Sequence, residues 1–91
     1  MKDGVNGIWF YAQADESITE YDTFLQVSIG HGERFKVGTL FGDDAPGKRE
    51  VMKVIKIDGD TLTLERGYGE TEKQEHDTRF KIRIISNPPR P

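Results

Sequence analysis

Residues 51–69 read VMKVIKIDGDTLTLERGYG, and this stretch decides the fold. Two runs rich in branched aliphatic residues flank Asp58-Gly59-Asp60, the short polar punctuation that joins antiparallel strands. It predicts a hairpin with strands near 50–57 and 61–66 around a type I′ Asp58-Gly59 turn. In the second run Leu62 and Leu64 alternate with Thr61, Thr63 and Glu65, the pattern of a half-buried strand. The first run is less regular. Val51, Ile55 and Ile57 share a parity with Lys53, while Met52 and Val54 lie opposite. A bulge near Lys53, or burial of both faces, accommodates that.

The same period of two extends outward. In 23–29, Leu25, Val27 and Ile29 take one face, and in 78–84 Phe80, Ile82 and Ile84 do the same. Residues 8–11 form a continuous apolar run that fits a strand buried on both faces. Residues 35–41, interrupted by Gly38, supply a sixth strand. No window repeats apolar residues at helical spacing; the best helical candidate is a short polar turn over Thr71 to His76. About six short antiparallel strands in so few residues predict an all-β fold, a small barrel or rolled sheet of SH3-like or OB-like size, because rolling removes exposed edges. Turns fall at 30–32, 42–48, 58–60 and 67–75. The whole chain, 1–91, reads as a single domain with a loose entry over 1–7 and a proline-rich exit over 86–91, SNPPRP, which cannot donate to a ladder. Such ends suit a domain inserted in, or cut from, a longer protein.

Composition sets the limits. Val, Ile, Leu and Phe make up 22 of 91 residues, enough for a thin core rather than disorder. The absence of cysteine excludes disulfides and thiolate metal sites. No apolar run is long enough to span a membrane. A net charge of −3 argues against general polyanion binding, so no specific nucleic-acid partner is expected.

Motif by motif, the loops read as structural. Gly42 to Arg49, GDDAPGKR, imitates a phosphate loop, but Arg49 replaces the metal-binding hydroxyl and two aspartates would repel phosphate. A polar hairpin loop fits better. Gly67-Tyr68-Gly69 looks like a nucleotide-covering loop; more simply, the glycines supply positive φ and Tyr68 folds back to cap the core. His31 and His76, with Asp43, Asp44 or Asp77 as neighbours, lack ligand spacing and read as solvated loop histidines. No metal, no cofactor and no catalytic pair is expected, and the chain reads as a non-enzyme.

The candidate contact surface lies on the last strand. Arg79, Lys81 and Arg83 repeat at period two opposite Phe80, Ile82 and Ile84, which predicts a basic stripe. Lys53 and Lys56 extend it if their strand lies nearby. The plain reading is a solvated strand face; the functional one is a contact with an acidic neighbour or a phosphate backbone. Trp9, Phe10 and Tyr11 form an aromatic cluster, with Trp9 expected in the core.

From Phe35 onward the chain resembles a segment of one group of tailed-phage major capsid proteins. The residues that carry the resemblance are Val37-Gly38, Glu50-Val51-Met52, Val54, Gly59, Leu62-Thr63-Leu64, Arg66-Gly67-Tyr68-Gly69, Thr71, His76 and Ile84-Ile85. Residues 1–34 fit only as a strand-rich lead-in, and the long spine helix of that coat fold is missing. The resemblance therefore implies a β domain of a capsid protein, not a complete shell subunit. It implies other capsid subunits as partners and the virion as its location after assembly in the host cytoplasm; the surface expected to carry such contacts is the Arg79, Lys81 and Arg83 stripe with Tyr68 and the loops over 42–49 and 67–76. The alternative is a small β-barrel module that binds nucleic acid or a peptide, combining the basic stripe with Tyr11, Tyr21 or Tyr68 as stacking surfaces.

Overall fold

The computed structural model describes residues 4–5 and 8–88, with side chains from residue 10 onward. The protein is all-β. Its strands are β1 (Gly4–Val5), β2 (Ile8–Trp9), β3 (Tyr11–Gln13), β4 (Phe24–Gln26), β5 (Leu40–Asp43), β6 (Met52–Asp58), β7 (Thr61–Glu65) and β8 (Lys81–Ser86). β1 and β2 form a small ladder of their own, and the other six make one antiparallel sheet in the order β3-β8-β5-β6-β7-β4. As a ladder the sheet is open. Its two edge strands nevertheless meet just beyond their ends, where Ala14 bridges Val27 and the Ser28 amide donates to the Gln13 carbonyl at 2.9 Å.

The inner face carries the core: Ala12, Leu25, Phe41, Met52, Val54, Leu62, Leu64, Ile82 and Ile84, joined by Ala14, Ile18, Val27, Phe35 and Phe80 from the connections. Alternation explains most of it, since each strand turns every second residue inward. The irregular parity of 51–57 is a bulge, displaced from Lys53 to Ile55: Val54 pairs with Leu64 and Lys56 with Thr63, leaving Ile55 extra and exposed. After the bulge the inward parity shifts, so Ile57 packs against the core.

Several expectations need correction. The hairpin's two loop residues are Gly59-Asp60, because Asp58 still pairs with Thr61. Only Gly59 has positive φ (61°), the sign pattern of a type II′ turn rather than I′. Ile29 lies past the end of β4 and is exposed, while residues 30–32 enter a 3₁₀ turn, His31–Arg34. The helical turn near 71–76 forms instead at Tyr68–Glu70, and residues 71–75 carry no regular structure. The strand expected over 35–41 forms only from Leu40, because residues 35–39 turn around Gly38 instead of extending; β5 then runs on through Gly42 and Asp43, which shortens the 42–48 loop. Residues 8–11 are not one strand buried on both faces: the run breaks at Phe10, which is about half exposed. The 1–7 entry includes the β1 strand, and β8 takes in Ser86, so the exit starts one residue later. The core placement expected of Trp9 lies outside the described side chains.

Candidate functional site

The inner face is not wholly apolar. At the open end of the β6–β7 hairpin, opposite its turn, four charged residues are buried together: Asp43, Glu50, Arg66 and His76. Their positions follow from parity. Arg66 continues the inward series Leu62, Leu64; Glu50 precedes Met52 and Val54 in theirs; Asp43 follows Phe41. His76 arrives from the long 67–80 connection, where its backbone bridges Ile18 in both directions (2.9 and 3.1 Å).

Every charged atom of this group has a partner. Arg66 makes a two-pronged pair with Glu50, Nε to Oε2 at 2.7 Å and Nη2 to Oε1 at 2.8 Å. Its remaining hydrogens go to carbonyls: Nη2 to Gln74 at 2.6 Å, and Nη1 to Thr19 at 2.7 Å and Asp22 at 2.5 Å. All five guanidinium donors are thus used. Glu50 also accepts from the amides of Gly67 (2.9 Å) and Gln74 (2.8 Å) and lies 3.0 Å from His76 Nε2. His76 Nδ1 lies 2.9 Å from Asp43 Oδ2, and the other Asp43 oxygen accepts from the Ala45 amide. Both imidazole nitrogens face carboxylate oxygens, so the pair of bonds is complete when both carry protons. Burial raises the Glu50 carboxyl, but the bonds from Arg66, His76, Gln74 and Gly67 outweigh it and hold the group at about 2.

A belt of local bonds fixes the surrounding loops. The Gln74 side-chain oxygen accepts from the amides of Arg49 (2.7 Å) and Glu50 (3.0 Å). Thr71 Oγ1 accepts from the Val51 amide at 3.0 Å and donates to the Tyr68 carbonyl at 2.8 Å. Gly67 has φ +60°, and a Cβ there would sit 2.8 Å from the Thr71 carbonyl oxygen. Only glycine combines that conformation with that approach.

Chemically, the arrangement closes on itself. The four side chains are each at most 7% exposed, and their polar atoms are partnered within the fold. The neighbouring depression is lined by Arg49, Thr71, Glu72 and Gln74, not by the charged quartet. Among the described residues no three His, Cys, Asp or Glu side chains group as metal ligands, and no helix is long and apolar enough to cross a membrane.

The sequence-predicted surface lies elsewhere. Lys81 and Arg83 point outward from β8 as their parity requires, but Arg79 precedes the strand with φ 58°. Each has an intramolecular neighbour: Arg79 has Asp15 at 3.8 Å, Lys81 lies 4.2 Å over the Tyr11 ring, and Arg83 has Asp44 at 3.8 Å. Tyr68 is half-buried beneath Lys53, 5.2 Å from its ring, rather than part of the apolar core. It stands on the β6 side, so Tyr68 and the β8 stripe do not converge. His76 overturns its reading as a solvated histidine: it is 1% exposed, because the Ile18 bridge pulls its loop against the open end of the sheet.

Fold and site together define a small antiparallel β fold pinned by a closed network of buried ionisable side chains. No protein-family model and no curated protein matches the chain.

Proposed function

We propose that this chain is a non-enzymatic structural module of a tailed-phage virion, a β domain of a major capsid protein that contacts neighbouring subunits. We infer further that its sheet is rolled into a small barrel, with the Ala14–Val27 bridge as the seam. One observation supports the structural reading above others. Five of the residues that carry the capsid resemblance, Glu50, Arg66, Gly67, Thr71 and His76, take part in the buried network and its belt, together with Asp43 and Gln74 from outside it. The motif thus works as a staple between hairpin and loops, which is what a shell component needs and what a catalytic site, open to substrate, does not use.

Nucleic-acid binding is less favoured. Of the three tyrosines, Tyr11 and Tyr68 are each covered by a lysine and Tyr21 alone is open to bases, and few phosphates can be neutralised at once. Two experiments decide. An antibody raised against the 91-residue chain should decorate intact tailed particles made by cells that carry its gene. Its recovery only outside particles removes the virion reading. Titration with duplex and single-stranded DNA should show no tight, steeply salt-dependent binding; the opposite result favours a nucleic-acid module.

A further inference from the structure

Two irregular segments flank the network, and together they give the apolar core a single residue, Ile18. Among residues 17–22 only Ile18 is buried, and among residues 67–79 only His76. The first segment is gripped through the Thr19 and Asp22 carbonyls, both bound to one Arg66 nitrogen. The second is gripped through His76 and through Gln74, whose carbonyl binds Arg66 and whose amide binds Glu50. The segments touch each other in the Ile18–His76 bridge. Apart from Ile18, the apolar core and the strands of the six-stranded sheet come from outside these two segments.

We propose that the network is a latch: residues 17–22 and 67–79 open together as one unit when Glu50 takes up a proton, while the six-stranded sheet stays folded. A neutral Glu50 carboxyl brings its own hydrogen into a ring of five donors, from Arg66 Nε and Nη2, the Gly67 and Gln74 amides and His76 Nε2. With His76 protonated at both nitrogens it finds no acceptor there, and the Arg66 charge loses its counterion in a dry site. Opening the two segments hydrates both. The charged groups that face Glu50 are Arg66 and His76. Asp43 faces the far nitrogen of His76 from β5, and the Asp22 carboxylate turns instead to the Thr19 amide.

The direction with pH follows from linkage. Glu50 titrates near 2 in the folded protein against an ordinary value of 4.5. Its contribution is therefore complete above the ordinary value and is lost as pH falls towards about 2. The latch is shut at neutral pH.

Amide NMR signals followed from neutrality down to about pH 2 read this directly. Signals from residues 17–22 and 67–79 should leave their native positions along one curve, ahead of those from β6 and β7. Separate curves for the two segments, or loss of the sheet with them, overturn the latch. Glu50→Gln keeps the shape without the charge and should speed hydrogen exchange in both segments about tenfold or more at neutral pH, with sheet amides still protected. Unchanged exchange, or global unfolding of this variant, contradicts the proposal. Gln74→Ala keeps all four ionisable side chains and tests the coupling alone. Faster exchange in residues 17–22, which the Gln74 side chain does not touch, supports it; acceleration confined to 67–79 overturns it.

Discussion

The two ends of the β6–β7 hairpin use the same device in different surroundings. At the turn, the Asp60 carboxylate accepts from the amides of Gly32 (2.8 Å) and Gly30 (3.1 Å) and ties the His31–Arg34 turn to the hairpin. At the open end, Glu50 accepts from the amides of Gly67 and Gln74 and ties the 67–79 segment. Both carboxyls are held below their ordinary values, Asp60 chiefly by the Gly32 and Gly30 amides. The difference is water. Around Asp60, solvent can replace whatever is lost. Around Glu50 nothing can, so a guanidinium and an imidazole must complete the site.

The largest expected effect breaks the buried end. Arg66→Met leaves Glu50 without its main partner and should cost about 3–5 kcal/mol in urea unfolding. A loss as small as that of an exposed arginine would show that water reaches the quartet.

Glycines sharpen the same contrast. Gly67 and Gly59 have nearly equal φ, +60° and +61°, but a Cβ at Gly67 meets the Thr71 carbonyl whereas one at Gly59 meets open space. Each alanine variant carries the left-handed penalty of about 1–2 kcal/mol, and Gly67→Ala adds the clash. Equal thermal shifts for the two would mean that the 67–71 turn yields freely.

Salt separates the carboxylates more gently. Asp60→Asn should destabilise less than Glu50→Gln, and its effect should shrink at high ionic strength because exposed charges are screened. The Glu50→Gln effect should persist in the same salt titration. Both contributions are present above ordinary carboxylate values and fade on acidification, since both native values are lowered.

The smallest effect belongs to the basic stripe. Charge reversal at Arg79, Lys81 and Arg83 should cost about 0.5 kcal/mol or less at each position, because all three are exposed and the ion pairs of Arg79 and Arg83 are long. A larger loss on thermal unfolding would place these side chains against something other than solvent.

Much of the sheet was legible because alternation is local: Leu62, Leu64, Phe80, Ile82 and Ile84 declare their face without knowing their neighbours. The same rule carried a signal that went unread. Arg66 and Glu50 stand at inward parity at the hairpin's open end, and two opposite charges at core positions point to a buried pair. His76 was not readable in this way. Its burial depends on a backbone bridge to Ile18, 58 positions away, and a polar sequence around it reads as solvent-facing. The bulge at Ile55 shows the opposite limit: its existence followed from broken parity, its position only from the paired strand.

The central claim is that Glu50 and Arg66 act as one buried structural unit. A double-mutant cycle in urea, with Glu50→Gln, Arg66→Met and the pair, tests it most directly. Each single change should cost several kcal/mol, and the double should cost less than their sum by about 1–3 kcal/mol, because the second change removes a charge already stranded by the first. Additive losses, each below about 1 kcal/mol, would contradict it and return both residues to the ordinary surface.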